Sequence, residues 1–150
     1  MDNITLPQDF KEFLQLLNEK NVEYLVVGGF AVGLYGYVRM TADIDIWISP
    51  ALDNAQRVVH VLQEFGFGAG VSVELFTRPN DIVQLGNPPV RIELMTAVSG
   101  VSFDECYAAR EQKELDGIEV KVINLQYLRQ NKAASGRLKD LADLKVLSKK

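Results

Sequence analysis

The sequence has little cysteine, little histidine and no long apolar run. Cys106 is the single cysteine among 150 residues, which excludes a disulfide framework and a cysteine metal cluster. It falls on a predicted helix with no base beside it, so a core position is expected. His60 is the single histidine, and it lies beside the apolar stripe of another predicted helix, where a surface or half-buried position is expected rather than a catalytic one. These features favour a protein of the reducing cytoplasm.

The sequence also lacks a membrane segment and an export signal. Its first residues, Met-Asp-Asn-Ile-Thr, have neither the basic start nor the apolar run of a signal peptide. The longest apolar stretch, residues 24–38, is too short to span a bilayer and carries four glycines. We therefore expect a cytoplasmic protein without a membrane partner.

Positive charge is not in excess. The formal net charge of −4 argues against a non-specific nucleic-acid binder. Apolar residues make up 47% of the chain and charged residues 24%, as in ordinary globular proteins. No repeat, low-complexity tract or linker is visible, so residues 1–150 are expected to form one domain with its own core.

Hydrophobic periodicity and turn residues predict helices that alternate with short strands. The predicted order is α-β-α-β-α-β-β-α-β-β-α-α, which indicates an α/β or α+β domain with a mixed sheet flanked by helices. One hairpin is predicted from residues 82–85 and 90–95, and a second over 114–123 with its turn at Asp116-Gly117. A capping box at 102–105 predicts a helix to about residue 110, and Asn124 is expected to cap the next helix. Residues 71–76 are compatible with a short helix or a strand.

The chain is organised around one stretch, residues 24–48. A buried strand, Tyr24–Val27, ends at Gly28-Gly29, and a small-residue helical segment follows. The next strand alternates strictly, so that Asp43, Asp45 and Trp47 share one face and three isoleucines share the other. Two carboxylates on one strand face repel each other unless a cation lies between them.

Three interpretations of this stretch are open. A paired-carboxylate strand is most often a solvated face. A dinucleotide site is the second interpretation, but its G-x-G-x-x-G pattern is broken because Phe30 stands in the third position. In the third, the glycine pair leaves backbone N–H groups free for phosphates, the helix adds its positive end, and the carboxylates bind Mg²⁺. The third combination is the one that phosphoryl transfer requires.

The third interpretation coincides with a family resemblance. The stretch contains Val-Gly28-Gly29 followed by Arg-x-Thr-x-Asp43-Ile-Asp45-Ile. This pattern resembles that of the nucleotidyltransferase superfamily of polymerase-beta-like fold, most closely its small bacterial members, including the AbiEii-like toxins. Residues 91–95, Arg-Ile-Glu-Leu-Met, are similar to the strand that supplies the third carboxylate. Residues 132–143 are similar to the C-terminal Lys…Gly-Arg…Lys-Asp…Asp segment. The resemblance covers most of residues 20–147. It departs from the family at Glu93, where many members have Asp, and at Tyr35, where related members often have His.

The resemblance implies a site for a nucleoside triphosphate with two Mg²⁺ ions. The implied catalytic and metal-binding residues are Asp43, Asp45 and Glu93, of which Glu93 is also a candidate proton acceptor. The implied nucleotide-binding residues are Gly28, Gly29, Arg39, Thr41, Lys132 and Arg137. The alternatives are a surface ion pair for Arg39, helix-surface pairs for Lys139 and Asp140, and a role in covering the sheet for Trp47.

The implied activity is Mg²⁺-dependent transfer of a nucleoside monophosphate to a hydroxyl acceptor. The acceptor is a transfer RNA, a protein or a small molecule. A role as the toxin of a toxin–antitoxin pair, with an antitoxin partner, is one form of this activity that the resemblance allows. The rival interpretation is a non-catalytic nucleotide sensor, or a subunit that needs a second protein to complete its site. The small size favours the rival, and the intact carboxylates argue against it.

Overall fold

A computed structural model describes residues 6–36, 43–67, 71–78, 82–87 and 90–147. The chain forms six helices and six strands within these ranges. The helices are α1 (Gln8–Glu19), α2 (Gly28–Leu34), α3 (Leu52–Phe65), α4 (Phe103–Ala108), α5 (Leu125–Ser135) and α6 (Leu138–Leu147). The strands are β1 (Tyr24–Val27), β2 (Asp43–Ile48), β3 (Ile82–Asn87), β4 (Val90–Met95), β5 (Glu111–Leu115) and β6 (Ile118–Val122).

The strands form a single mixed sheet in the order β3-β4-β2-β1-β6-β5. The two predicted hairpins, β3–β4 and β5–β6, are antiparallel and lie at the two edges. The central strands β1 and β2 are antiparallel to each other, whereas β2 pairs in parallel with β4 and β1 in parallel with β6. The predicted element order and the mixed sheet flanked by helices are confirmed.

Both faces of the central sheet are buried. On β2, Ile44, Ile46 and Ile48 point to one face, and Trp47 points to the other, where its ring packs edge-on against Phe103 of α4 at 5.2 Å. The prediction that Trp47 covers the sheet is therefore confirmed. Helices α1 and α3 pack together through Phe13 and Phe65, whose ring centroids are 5.1 Å apart. Burial of these large apolar side chains supplies the main driving force for folding.

Several local predictions differ from the structure in detail. Helix α4 ends at Ala108 rather than near residue 110, and the chain enters β5 at once, at Glu111 instead of Glu114. The capping box is altered, because the Ser102 hydroxyl donates to the Glu105 carboxylate at 2.8 Å and accepts no hydrogen bond from a backbone N–H of the helix. Residues 71–76, which the sequence left as either a helix or a strand, contain a short 3₁₀ helix, Val73–Phe76.

Other predictions are confirmed. The side chain of Asn124 accepts from the Tyr127 N–H at 2.8 Å and so caps α5. Cys106 is fully buried in the core, and His60 is exposed on α3. None of the helices in the described part of the chain has the length and apolarity that crossing a membrane requires.

Candidate active site

The site begins at the turn between β1 and α2. Gly28 has φ +70°, in the left-handed region that a residue with a Cβ rarely adopts. A Cβ at this position would also collide with Oδ2 of Asp45. The glycine is therefore required twice, once by the backbone conformation and once by the carboxylate that lies against its Cα.

Strand pairing brings the predicted carboxylates to this turn. The register of β1 and β2 sets Val27 beside Asp45, so the chain turns at Gly28 directly next to that residue. The parallel register of β2 and β4 then sets Asp45 beside Glu93 and Asp43 beside Arg91. Neighbouring residues at the same register share a face of the sheet, so the three acidic residues lie in one cluster.

Two neighbouring side chains hold this cluster. The Nε of Arg91 lies 3.4 Å from Oδ1 of Asp43 in a partly exposed ion pair. On the next strand, the side-chain amide of Gln84 donates to Oε2 of Glu93 at 2.7 Å. Neither Arg91 nor Gln84 was selected from the sequence, although the alternation of residues 91–95 places Arg91 on the same face as Glu93.

Asp45 carries the strongest electrostatic signal in the cluster. Burial, a hydrogen bond with Glu93 and the charges of Glu93 and Asp43 raise its pKa from 3.8 to about 7, and Lys139 opposes the shift. Its Oδ1 is buried and has no hydrogen-bond partner among the described residues. A half-buried carboxylate that is crowded by negative charge is the arrangement that a bound cation stabilises.

The donor set suits Mg²⁺, which prefers carboxylate oxygens and binds through one or two carboxylates together with substrate phosphates. Within the described ranges, no three acidic, histidine or cysteine side chains are already arranged around a common point. Asp43 and Glu93 instead contact Arg91 and Gln84. The residues therefore fit the ion by their chemistry and by the unpartnered Oδ1 of Asp45.

A cleft of about 380 Å³ opens beside the cluster. The Gly28-Gly29 turn and Asp45 form one side of it, the apolar side chains of Met95 and Val98 line a second, and the α5–α6 connection forms the rest. That connection contributes three cationic residues to the lining, which are Lys132, Arg137 and Lys139. The cleft thus combines glycine backbone, carboxylates and cations within one volume.

The cationic side of the cleft is built on a buried ion cluster. The Lys132 ammonium, 4% exposed, lies 2.9 Å from Asp140 and 3.0 Å from Asp143. Asp140 also accepts from the Ser135 hydroxyl at 2.7 Å and from Nε of Arg137 at 2.6 Å. The cluster therefore links α5 to α6 across Gly136, whose φ of +68° ends α5.

Asp140 is ionised within this cluster. Burial alone would raise its pKa, but hydrogen bonds from Arg137, Lys132 and Ser135 outweigh the burial and hold the pKa well below its usual value. The proposed helix-surface pair for Asp140 is wrong, because the side chain is buried between two helices. Sequence reasoning missed this because Lys132 and Asp140 lie on different helices.

The predicted nucleotide-binding residues differ in whether they line the cleft and in whether their side chains are already engaged. Gly28, Gly29 and Arg137 line the cleft, and the Arg137 side chain is 72% exposed. Lys132 also borders the cleft, but its ammonium is engaged by two carboxylates. Arg39 and Thr41 lie outside the described residues.

Tyr35, the departure from the family pattern, has a defined contact. Its hydroxyl donates to the carbonyl oxygen of Ile123 at 2.6 Å, and Lys113 lies over its ring at 4.8 Å. Burial, reinforced by the charge of Glu111, raises its pKa. This tyrosine therefore ties the end of α2 to the end of β6.

Comparison with known proteins places this geometry in a family. The family model described as "Nucleotidyl transferase of unknown function (DUF2204)" matches residues 7–150. No curated protein matches the sequence. The AbiEii-like type is not tested by these matches and stays a prediction.

Solved structures share the fold at low sequence identity. A Thermotoga maritima protein described as a nucleotidyltransferase is 19% identical with a TM-score of 0.65, over 95% of this chain and 92% of that chain. The lincosamide antibiotic adenylyltransferase LnuA, solved with lincomycin, is 15% identical with a TM-score of 0.57, over 98% of both chains. The antibiotic-resistance factor ANT(2'')-Ia is 11% identical with a TM-score of 0.59, over 95% of this chain and 82% of that one.

Proposed function

Because the chain belongs to this nucleotidyl transferase family, we propose that it transfers a nucleoside monophosphate from a nucleoside triphosphate to a hydroxyl acceptor in a Mg²⁺-dependent reaction. One observation carries the proposal. Asp45, the glycine turn and Arg137 line the same cleft, and the strand register sets Glu93 beside Asp45. Phosphoryl transfer depends on positioning and on compensating the charge of phosphate oxygens, and these groups supply both.

Asp43, Asp45 and Glu93 are the residues that would hold two Mg²⁺ ions. Ions held there would supply charge neutralisation at the phosphates and would lower the pKa of the attacking hydroxyl. The raised pKa of Asp45 and its unpartnered Oδ1 support this assignment, because a cation offsets the repulsion that raises the pKa. Arg91 would keep Asp43 oriented on the sheet face through its ion pair.

Around the triphosphate, Gly28 and Gly29 would present backbone N–H groups, and Arg137 would contact phosphate oxygens. Lys132, Arg39 and Thr41 complete the predicted nucleotide-binding set. In the transfer step, the acceptor oxygen forms a bond to the α-phosphorus while the bond to the leaving pyrophosphate breaks. The hydroxyl proton passes to the carboxylate of Glu93, which Gln84 orients by its hydrogen bond.

For the acceptor we propose a small hydroxylated molecule. Two proteins of the same fold support this choice, since one is an adenylyltransferase of lincosamide antibiotics and the other an antibiotic-resistance factor. The net charge of −4 disfavours a large RNA. Transfer RNA and protein hydroxyls are the alternatives, and a toxin that acts on them would arrest growth on expression and be neutralised by an antitoxin partner.

Ligand-induced stabilisation tests the proposed nucleotide site and helps to distinguish an enzyme from a non-catalytic sensor or an incomplete subunit. Melting temperatures of the wild type are measured with each nucleoside triphosphate, with and without Mg²⁺, beside Asp43→Asn/Asp45→Asn and the surface control Asp53→Asn. We expect a Mg²⁺-dependent increase in the wild type and the control that the double variant lacks. The absence of any increase in the wild type would contradict the site. An increase without transfer activity would favour the nucleotide sensor or the incomplete subunit.

A further inference from the structure

Arg137 is the one strongly exposed side chain of the ion cluster between α5 and α6. Its guanidinium is 72% exposed beside the cleft, whereas the carboxylate that holds it, Asp140, is 1% exposed. The contact uses Nε, at 2.6 Å from Oδ2 of Asp140. A guanidinium is planar and rigid, so fixing Nε fixes the directions of the two terminal NH₂ groups as well.

The carboxylate that fixes Arg137 is itself held from two other directions. Lys132 contacts Oδ1 of Asp140 at 2.9 Å, and the Ser135 hydroxyl donates to Oδ2 at 2.7 Å. Lys132 is in turn held by Asp143 at 3.0 Å. Burying a carboxylate costs free energy unless it is paired and hydrogen-bonded, and here each oxygen has a partner.

An exposed ion pair between residues three apart on a helix would contribute little and would leave the arginine mobile. The pair between Arg137 and Asp140 differs because one partner is immobilised in the interior. The side chain of Asp140 cannot follow the arginine into solvent without leaving the Lys132 ammonium buried beside one carboxylate. The interior therefore determines the orientation of a surface arginine.

The orientation is relevant to the cleft. Arg137 borders the same volume as Asp45 and the Gly28-Gly29 turn, and the charges of Asp45 and Glu93 act on its guanidinium. A fixed guanidinium with free terminal NH₂ groups is suited to bidentate contact with phosphate oxygens. A freely rotating arginine would lose side-chain entropy on making the same contact.

We propose that Asp140 is a positioning residue that aims Arg137 at the phosphates of the nucleotide, with Lys132 as its buried counter-ion. This scheme revises the predicted role of Lys132, which acts through Asp140 and Arg137 instead of contacting the triphosphate itself. The scheme rests on the proposed function for the identity of the ligand. The hydrogen bond between Asp140 and Arg137 does not depend on that function.

A mutant cycle tests the scheme by triphosphate affinity, measured by calorimetry with Mg²⁺ present. Arg137→Gln and Asp140→Leu are each expected to weaken binding about tenfold, the loss of one charge-assisted hydrogen bond. The double variant should bind no more weakly than Arg137→Gln alone, because Asp140 acts through Arg137. Independent, multiplicative losses would overturn the proposal.

Asp143→Leu is the matched control for loosening of α6. It removes the same charge, and like Asp140→Leu it leaves Lys132 with one carboxylate. Any loss of affinity in Asp143→Leu should persist in the Arg137→Gln background, whereas that of Asp140→Leu should vanish there. Persistence of both losses would assign Asp140 a merely structural role.

Two further measurements keep the proposal testable if a variant or the function fails. Arg137→Lys keeps the charge at an exposed position, so it folds even where Asp140→Leu does not, and it should bind at least about fivefold more weakly than the wild type. Wild-type affinity in Arg137→Lys would overturn the proposal.

If the wild type binds no triphosphate, the proposed function fails, and the Arg137 Nε–H signal in ¹⁵N NMR still decides whether Asp140 fixes the Arg137 side chain. The signal should be protected from solvent exchange in the wild type and Asp143→Leu and unprotected in Asp140→Leu, and any other pattern refutes the positioning role.

Discussion

Asp45 and Glu93 lie side by side on the parallel strands β2 and β4, and their proximity helps to raise the pKa of the Asp45 carboxyl group. The same strand register pairs Asp43 with Arg91, so three carboxylates and one arginine form two successive cross-strand pairs on one face of β2 and β4. Burial and these neighbours raise the pKa of Asp45 to about 7. The carboxylates of the cluster therefore repel one another at neutral pH, and a bound cation would relieve that repulsion.

The raised pKa predicts a pH-dependent stability. The folded chain binds this proton more tightly than the unfolded chain, so the stabilisation is fully present below pH 3.8 and is lost as pH rises through about 7. Without metal, the free energy of unfolding of the wild type should fall by about 1–2 kcal/mol between pH 5 and 8 relative to that of Asp45→Asn. This is less than the full pKa shift would give, because water screens the charge of a half-buried carboxylate. That corresponds to about 2–8 °C in melting temperature, measured in chelator. Asp53→Asn is the surface control, and parallel profiles for wild type and Asp45→Asn would refute the prediction.

Gly28→Ala should destabilise the chain and displace Asp45. The positive φ costs about 1–2 kcal/mol for a residue with a Cβ, and the added Cβ meets Oδ2 of Asp45. Gly33→Ala, in the same helix with open space around it, is the matched control and should stabilise by about 0.5–1 kcal/mol. Denaturant unfolding of both variants measures the difference. Equal effects of the two substitutions would contradict this account of the turn.

Lys132→Met should be strongly destabilising. The substitution leaves Asp140 and Asp143 buried without the ammonium that both contact, a change that costs about 3–5 kcal/mol in comparable buried pairs. Arg57→Met removes an exposed partner of Asp53 and should change stability by less than about 1 kcal/mol. Urea unfolding compares the two, and a small effect at Lys132 would show that the cluster is solvated in solution.

Comparison of Gly100 with Gly117 distinguishes two reasons for a glycine, a positive φ and the lack of space for a Cβ. Both have a positive φ, +79° and +80°, but a Cβ at Gly100 would collide with the side chain of Ala134 on α5, whereas Gly117 faces open space. Gly117→Ala should cost about 1–2 kcal/mol for the backbone alone. Gly100→Ala should cost more, and the excess should disappear when Gly100→Ala is compared with Gly100 in an Ala134→Gly background, which takes the helix cost of Ala134→Gly itself into account. Persistence of the excess in that background would show that α5 does not press on this loop.

Local patterns predicted most of the fold. The strict alternation of residues 43–48 gave β2 and its faces, and Asp116-Gly117 gave the hairpin turn. The parallel pairing of β2 with β4 could not be read in this way, because it joins strands that are distant in sequence and periodicity carries no information on partners. The placement of Glu93 beside Asp45 was therefore implied by the family resemblance and not by the pattern.

The cationic side of the cleft was the least predictable part. Lys132 and Asp140 are separated by a helix end at Gly136, and spacing rules for one helix do not apply across it. Charged residues are rarely buried unless paired, so a helix-surface pair was an open alternative for Asp140. Its burial depends on how α5 packs against α6, a tertiary relationship that local sequence does not contain.

Transfer of label from α-³²P nucleoside triphosphates tests whether the carboxylate cluster catalyses nucleotidyl transfer. The wild type, Asp43→Asn/Asp45→Asn and the control Asp53→Asn are incubated with Mg²⁺ and each triphosphate in the presence of cell extract, and labelled small molecules, RNA and protein are separated. We expect Mg²⁺-dependent label on a small molecule with the wild type and Asp53→Asn, and none with the double variant. Label that persists in the double variant, or its absence from every fraction with a wild type that binds triphosphate and Mg²⁺, would contradict the claim that these carboxylates catalyse nucleotidyl transfer.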